Sequence, residues 1–145
     1  MENKVPLIPM EDFFRNPEKS SFQISPDGND VAYMKPWKTR MNVFVMDMKT
    51  KKEVRLTSSE ERGIYGFAWL TDNRIGYVKD DGGDENMHFY AINIDGTNEI
   101  DLTPFENVQA RIIDDLEFND LLIYLKIAHL PMFEILILFF FATTL

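Results

Sequence analysis

The sequence predicts an all-β chain in which a four-stranded antiparallel unit of about 45 residues is repeated. Three features recur in the same order: a tight hairpin, a strand rich in aromatic and β-branched residues, and a Leu-Thr pair. Aromatic and β-branched side chains favour strands, and turn residues between them favour hairpins. The repetition of all three features predicts the fold class more strongly than any one of them.

The recurring hairpin occupies residues 22–33 and, one residue shorter, residues 67–77. In the first copy a proline fixes φ at the turn corner, an aspartate can bond its own backbone, and a glycine tolerates a positive φ. A turn of this kind joins two antiparallel strands closely. The residues that define the repeat are those of the two hairpins: Ser25, Pro26, Asp27, Gly28, Tyr33, Trp69, Asp72 and Tyr77.

The remainder of each copy also recurs, because residues 43–47 match 89–93 and residues 54–57 match 100–103. The matches predict strands at 21–25, 30–35, 42–48 and 53–57, then at 63–70, 74–79, 87–94 and 99–103. Four short strands at this spacing are typical of one blade of a β-propeller. We therefore predict a partial β-propeller with two four-stranded blades and the start of a third near Ala110. A plain antiparallel meander or sandwich is the alternative, and the ordered recurrence disfavours it.

The repeat divides the chain into three segments. Residues 1–20 form an N-terminal lead-in with a short helical turn at 10–15, residues 21–117 hold the blades, and residues 118–145 form an apolar tail. The tail lacks the turns and the alternation of a blade. It is interpreted as a membrane-spanning segment, as a core helix or strand, or as the product of a truncation or frame shift, and the third interpretation is preferred. Charged residues and a proline interrupt the run of about 20 apolar residues that a spanning helix needs.

The composition excludes several classes of function. The net charge of -9 and the lack of a basic patch argue against nucleic acid as a partner, and make a membrane an unlikely one. The absence of cysteine excludes disulfides, thiol catalysis and zinc–thiolate sites. Residues 1–6 do not resemble a signal peptide, so a cytoplasmic location is expected.

The blade sequence resembles that of a known family. Residues 25–28, followed by 31–33, 44–47 and Leu56-Thr57, resemble the TolB-type propeller repeat. The lead-in at residues 9–17 strengthens the resemblance, because Pro-Met-Glu-Asp-Phe-Phe-Arg-Asn-Pro is similar to the start of the propeller in serine peptidases of the prolyl oligopeptidase family. Together with residues 83–86, it points to the acylaminoacyl-peptidase and dipeptidyl-peptidase branch.

This resemblance implies that the propeller and the catalytic site belong to different domains. In that family the propeller is a lid over a C-terminal α/β-hydrolase domain, which carries the Ser-Asp-His triad and acts on peptides. The expected partners are therefore that hydrolase domain, which the sequence does not contain, and peptide substrates through the parent protein. The chain is accordingly predicted to be inactive by itself.

Direct inspection finds no complete catalytic set. None of the five serines lies in the Gly-x-Ser-x-Gly sequence of a nucleophile elbow. Ser25 is interpreted as a turn residue. Of the two histidines, His88 is expected on a strand surface and His129 lies in the tail. No cofactor is expected, because no phosphate-binding glycine motif occurs. A weak candidate for a calcium loop, better explained as a solvated strand connection, contains Asp80, Asp81, Asp84 and Glu85.

Three functions remain open at this point. The preferred one is the propeller fragment of a prolyl-oligopeptidase-like serine peptidase. The alternative is a free-standing TolB-like binding or scaffold module, which the tail could anchor to a membrane. The third is a hydrolase with an unrecognised site. Because open sheet edges and apolar surface promote association, the chain alone is expected to be poorly soluble or oligomeric.

Overall fold

The computed structural model consists of strands joined by turns. Its strands form three antiparallel sheets. It describes residues 9–10, 18–80, 82–84, 86–106, 108–116, 120–127 and 134–140, and the backbone alone for 108, 112–116, 120–127 and 134–140. The helical turn that the sequence predicts at residues 10–15 lies, beyond Met10, outside these ranges.

The first sheet, called blade 1, has four strands in sequential order. Two of its turns follow from local chemistry. Gly28 adopts a φ of 75° between the first two strands, and the Asp47 carboxylate accepts hydrogen bonds from the backbone N–H groups of Lys49 and Thr50 at 2.8 and 2.7 Å. The strands are β1 (Ser20–Ile24), β2 (Asp30–Trp37), β3 (Arg40–Asp47) and β4 (Glu53–Arg55).

The second sheet, called blade 2, repeats this order. Its strands are β5 (Gly66–Thr71), β6 (Arg74–Lys79), β7 (His88–Asn93) and β8 (Ile100–Asp101). The prediction of two four-stranded antiparallel blades is confirmed. The fourth strands are shorter than predicted because the chain leaves the ladder at the Leu-Thr pair: the backbone N–H groups of Leu56 and Thr57 both donate to the carbonyl oxygen of Val43.

The third sheet contains β9 (Val108–Leu116), β10 (Asp120–Ile127) and β11 (Glu134–Phe140), with β10 between the other two. Its first strand confirms that a third unit begins near Ala110. Residues 120–127 and 134–140 pair as strands, which is one of the structures considered for the apolar tail. A continuous apolar run does not distinguish a buried strand from a helix by period, so sequence alone left this open. The origin of the tail by truncation or frame shift stays a prediction.

The core lies between blades 1 and 2. The near face of blade 1, formed by Ala32, Met34, Val43 and Val45, belongs to one buried cluster with blade 2 residues that include Phe67, Ile75, Tyr77 and Ile92. Two hydrogen bonds join the first strands of the blades: Gln23 Nε2 donates to the Phe67 carbonyl at 3.0 Å, and Trp69 Nε1 donates to the Gln23 carbonyl at 3.2 Å. The blades are therefore stacked face to face, as in a propeller.

Blade 2 is covered on its other side by the third sheet. Strand β9 contacts β5, β6 and β7, and the backbone N–H of Ala110 donates to the carbonyl of Met87 at 2.7 Å. Ala110 is fully buried there, as are Phe89 and Ala91 of blade 2. The face of blade 1 that points away from blade 2, here called the far face, carries Phe22 and Ile24, and both side chains are exposed.

Candidate functional site

The Ser-Pro-Asp-Gly turn forms a closed set of hydrogen bonds. The Ser25 hydroxyl donates to Asp27 Oδ1 at 2.7 Å and accepts from the Asp30 backbone N–H at 2.9 Å. Asp27 also accepts from the backbone N–H of Asn29 at 3.0 Å. This hydrogen bond is the largest of the causes that lower the pKa of the Asp27 carboxyl below its usual value. The buried Ser25 hydroxyl is thus held in a turn, and no histidine is among its partners.

The corresponding turn of blade 2 is shorter. Asp72 and Asn73 connect β5 to β6, and the Asn73 backbone N–H donates to Thr71 Oγ1 at 3.3 Å. Each turn also holds the end of the third strand of its blade. The Asn29 carbonyl accepts from the N–H of Met48 at 2.9 Å, and the Asn73 carbonyl accepts from the N–H of Ile94 at 3.1 Å. The two turns therefore have the same role in their blades.

The tyrosine that recurs in the repeat joins three strands of its blade through its ring and hydroxyl, an arrangement here called the clamp. In blade 1 the Tyr33 hydroxyl donates to Glu53 and accepts from Lys19 Nζ at 3.1 Å, while Lys35 Nζ donates to the other Glu53 oxygen at 2.7 Å. The Tyr33 ring stacks on Phe44, with ring centroids 6.3 Å apart. The clamp ties β2, β3 and β4 together around one buried ring.

Blade 2 contains the same clamp at equivalent positions. The Tyr77 hydroxyl donates to Glu99, Lys79 Nζ lies 3.7 Å from Glu99 Oε1, and the Tyr77 and Tyr90 rings stack at 5.5 Å. The sequence predicted the tyrosines of both clamps and missed the glutamates and lysines. A signal existed, since each lysine follows its tyrosine by two positions and each glutamate precedes the Leu-Thr pair by the same interval.

The electrostatics of the clamp explain why it is structural. The hydrogen bond from Lys35, together with that from Tyr33, lowers the pKa of Glu53 below its usual value. Burial, with the Glu53 hydrogen bond, raises the pKa of Tyr33. The carboxylate therefore stays ionised and the phenol stays protonated at neutral pH. Neither group is poised to exchange a proton.

We expect the contribution of this clamp to stability to depend on pH. Because folding lowers the pKa of Glu53, its stabilisation is complete above the pKa of an unfolded glutamate and is lost as the pH falls through the lower, folded pKa. Chemical denaturation of the wild type and of Glu53→Gln at several pH values measures this. The wild type is expected to be the more stable at neutral pH, and the gap is expected to close in acid.

The control is the ion pair between Lys38 Nζ and Glu60 Oε2, whose side chains are about half exposed although the atoms lie 2.6 Å apart. Exposed pairs of this kind contribute little to stability. Glu60→Gln is therefore expected to leave the free energy of unfolding nearly unchanged. A gap between wild type and Glu53→Gln that stays constant from neutral to acid pH would show that the ionisation of Glu53 is not coupled to folding.

His88 forms a pair that the sequence did not predict. Its Nδ1 lies 2.6 Å from Asp101 Oδ2, and Asp101 Oδ1 accepts from the Thr103 backbone N–H at 2.8 Å. The imidazole is 21% exposed and borders an open cleft of about 590 Å³, whose other lining residues include Asn86, Tyr90, Phe105 and Glu106. An oriented histidine–aspartate pair is two thirds of a hydrolytic triad. No serine, threonine or cysteine is among the described residues that line this cleft.

The predicted metal-loop residues do not meet at one point where the structure describes them. Asp80 is buried and its Oδ2 accepts from the Tyr65 hydroxyl at 3.3 Å, whereas Asp84 accepts from the backbone N–H and the side-chain amide of Asn86 at 2.9 and 2.8 Å. Asp81 and Glu85 lie outside the described residues. Among the side chains that are described, no group of three or more histidines and carboxylates could hold a metal ion.

The two stacked four-stranded sheets, with a repeated tyrosine–glutamate clamp and a repeated hairpin, define the described part of this chain as a partial β-propeller. No family model matches the chain. Within the described part of the chain, no helix is long and apolar enough to cross a lipid bilayer.

Comparison with curated proteins finds peptidases. The chain is 32% identical over 108 residues to dipeptidyl aminopeptidase BIII of Pseudoxanthomonas mexicana, which is 73% of this chain and 16% of the relative. It is 32% identical over 95 residues to dipeptidyl peptidase family member 6 of Caenorhabditis elegans, which is 64% of this chain and 13% of the relative. The chain therefore spans a small part of the length of each of these relatives.

Solved structures confirm the fold. A Clostridium novyi protein assigned as a conserved lipoprotein matches with a TM-score of 0.62 at 11% identity, over 87% of this chain and 89% of that one. An Agrobacterium tumefaciens protein assigned as TolB matches with a TM-score of 0.53 at 19% identity, over 79% of this chain and 47% of that one. At these identities the likeness shows the fold alone. Together with the peptidase relatives, this likeness confirms the resemblance of the blades to the propeller of prolyl-oligopeptidase-family peptidases.

Proposed function

We propose that these blades belong to a propeller that lies as a lid over an α/β-hydrolase domain in a prolyl-oligopeptidase-like serine peptidase and limits which peptides reach its active site. The observation that carries the proposal is the similarity over 108 residues to a dipeptidyl aminopeptidase. The blade residues that recur have structural roles: turn, clamp and interblade core. Such a segment would shape the access to the active site of a peptidase, and the catalytic residues would belong to another domain.

The polypeptide of 145 residues is accordingly proposed to be inactive by itself. The Ser25 hydroxyl is held by Asp27 and Asp30, and the His88–Asp101 pair faces a cleft without a described nucleophile. The expected cytoplasmic location also stays a proposal. A free-standing TolB-like binding or scaffold module is the alternative, and its support is the likeness of fold to the Agrobacterium protein.

A chimaera tests the lid directly. The matching segment of the Pseudoxanthomonas dipeptidyl aminopeptidase is replaced by the segment of this chain that aligns with it over 108 residues. The chimaera is expected to cleave a dipeptidyl p-nitroanilide and to leave a large, folded protein uncut. The unmodified relative is the matched control, and the chain of 145 residues, assayed alone, is expected to cleave neither substrate.

Two results would overturn the proposal. A chimaera that keeps its activity on the small substrate and cleaves the large protein faster than the control would show that the blades do not exclude substrates. Turnover by the chain alone, abolished by His88→Ala, would instead show that the blades carry a catalytic site of their own.

A further inference from the structure

An apolar pocket lies at the junction between blade 2 and strand β9. Its volume is about 340 Å³, at the low end of the range for small-molecule sites in proteins. At this junction the backbone N–H of Ala110 donates to the Met87 carbonyl at 2.7 Å, and the N–H of Tyr65 donates to the Val78 carbonyl at 3.0 Å. The described residues that line the pocket are Tyr65, Gly66, Val78, Met87, Ala110 and Arg111.

Part of this lining has a counterpart at the junction between blades 1 and 2. There the Ile64 backbone N–H donates to the Met41 carbonyl at 3.0 Å, as the N–H of Ala110 donates to the carbonyl of Met87. Ile64 is 5% exposed and belongs to the core cluster between the blades. Alanine takes its place at the second junction, so most of the isoleucine side chain has no equivalent there.

The β5 and β6 residues of the lining are also small. Val78 takes the position of the buried Met34, since Met34 pairs with the first residue of 43–47 and Val78 with the first residue of the matching 89–93. Gly66, which pairs with Val78, carries no side chain, and a Cβ atom there would have no neighbour within 4 Å. Smaller residues therefore leave apolar space at the second junction where Met34 and Ile64 are packed at the first.

Arg111 supplies the charge of the described lining. Its side chain is exposed, and no described carboxylate forms an ion pair with it, although the chain contains 24 acidic residues. The Tyr65 hydroxyl is already bonded to Asp80 Oδ2 at 3.3 Å, and Asp80 does not line the pocket. A guanidinium binds both oxygens of a carboxylate through paired N–H groups. An apolar pocket beside it is complementary to a carboxylate that is attached to an apolar group.

We propose that this pocket binds a compact hydrophobic carboxylic acid, with the apolar group against Val78, Met87 and Ala110 and the carboxylate on Arg111. A free aromatic or branched-chain acid has this chemistry, and so does the C-terminal residue of a peptide. Binding does not require the proposed lid function, because every residue involved lies in blade 2, in β9 or in the segment that leads into blade 2.

Saturation-transfer NMR on the chain of 145 residues tests the charge, with phenylpropionate as the probe. Phenylpropanamide has the same shape without the charge and is expected to bind about tenfold more weakly. Arg111→Met keeps an apolar stem and is expected to reduce the affinity for the acid to that for the amide. Arg55→Met is the matched control, because it removes a guanidinium that lies 3.9 Å from the centre of the Trp37 ring in blade 1. It is expected to leave both affinities unchanged.

Two further variants fill the apolar space. Gly66→Leu places a side chain where a Cβ atom meets no neighbour, and Val78→Met introduces the residue that blade 1 buries at the equivalent position. Each is expected to abolish the saturation transfer to both ligands and to leave the circular dichroism of the chain unchanged. Gly66→Ala, which fills little of the pocket, is the control and is expected to keep binding the acid.

The peptide N-acetyl-Ala-Ala-Phe distinguishes the two sources of the carboxylate. Binding at least as tight as that of phenylpropionate assigns the pocket to peptide C-termini, and weaker binding assigns it to free acids. Three results would overturn the proposal: no binding of phenylpropionate by the wild type, equal affinities for the acid and the amide, or unchanged binding by Gly66→Leu and Val78→Met. The size selectivity of the chimaera decides the proposed lid function separately, since it is measured without these ligands.

Discussion

Asn42→Ala is expected to lower the free energy of unfolding by about 3 kcal/mol, because it leaves several buried polar groups without partners. The Asn42 side chain is fully buried. Its Oδ1 accepts from the Thr57 hydroxyl at 2.9 Å and from the Ser59 backbone N–H at 2.8 Å. Its Nδ2 donates to the carbonyls of Arg40 and Ser59 at 3.1 and 3.0 Å. This one amide therefore connects the segment that follows β4 to the start of β3.

Denaturant titration followed by tryptophan fluorescence measures the loss. Asn73→Ala is the control, because Asn73 is exposed in the turn between β5 and β6, where a surface substitution changes stability by about 0.5 kcal/mol or less. Equal midpoints for the two variants would contradict the role assigned to Asn42. The equivalent residue in blade 2 is His88, which bonds Asp101 instead, so the connector that follows β8 lacks this amide fastening.

Gly76→Ala is expected to destabilise the chain by about 2 to 3 kcal/mol through overpacking. A Cβ atom on Gly76 would lie 2.3 Å from Phe89 Cζ, 2.9 Å from Phe89 Cε2 and 3.0 Å from Leu70 Cδ2. The Phe89 side chain is fully buried and Leu70 is buried beside it, so neither can move aside without opening the packing between blade 2 and the third sheet.

Gly66 provides a matched control in the same sheet. It lies in β5, and a Cβ atom there would have no neighbour within 4 Å. Gly66→Ala is therefore expected to be neutral or slightly stabilising, since it reduces the freedom of the unfolded chain. In the double variant Gly76→Ala, Phe89→Leu the smaller side chain leaves space for the methyl group, so the combined loss is expected to be smaller than the sum of the single losses. Equal stability of Gly76→Ala and Gly66→Ala would contradict the close contact with Phe89.

The repeat could be predicted from the sequence because hairpins and buried strands have local sequence patterns. Gly28, Tyr33 and Tyr77 have fixed places in those patterns. The number, order and antiparallel pairing of the strands in blades 1 and 2 followed from them. The partners of the tyrosines did not follow, because they reach across the third strand: Glu53 from the fourth strand of blade 1, and Glu99 from the residue just before the fourth strand of blade 2. Cross-strand neighbours depend on register, which a single sequence leaves open where strands are short.

Irregular backbone was also beyond prediction. The pairing of β1 with β2 shifts between Ser20 and Gln23, and Ser21 adopts a φ of 55°, although serine gives no local signal for a left-handed conformation. This shift helps set the register at which Phe22 lies on Tyr33. Likewise, His88 was expected on the strand surface, and its pairing with Asp101 depends on the alignment of β7 with β8.

The central claim is that successive four-stranded blades stack through equivalent faces, and proton NMR of the interblade contact tests it most directly. Gln23 is the informative residue, since its side-chain amide donates to the Phe67 carbonyl and its own carbonyl accepts from the Trp69 indole. The account predicts nuclear Overhauser effects between the Gln23 side-chain amide and the Phe67 backbone, and slow exchange of the Trp69 indole proton. Regular strand signals in both blades with no such effect, and a rapidly exchanging indole proton, would contradict it.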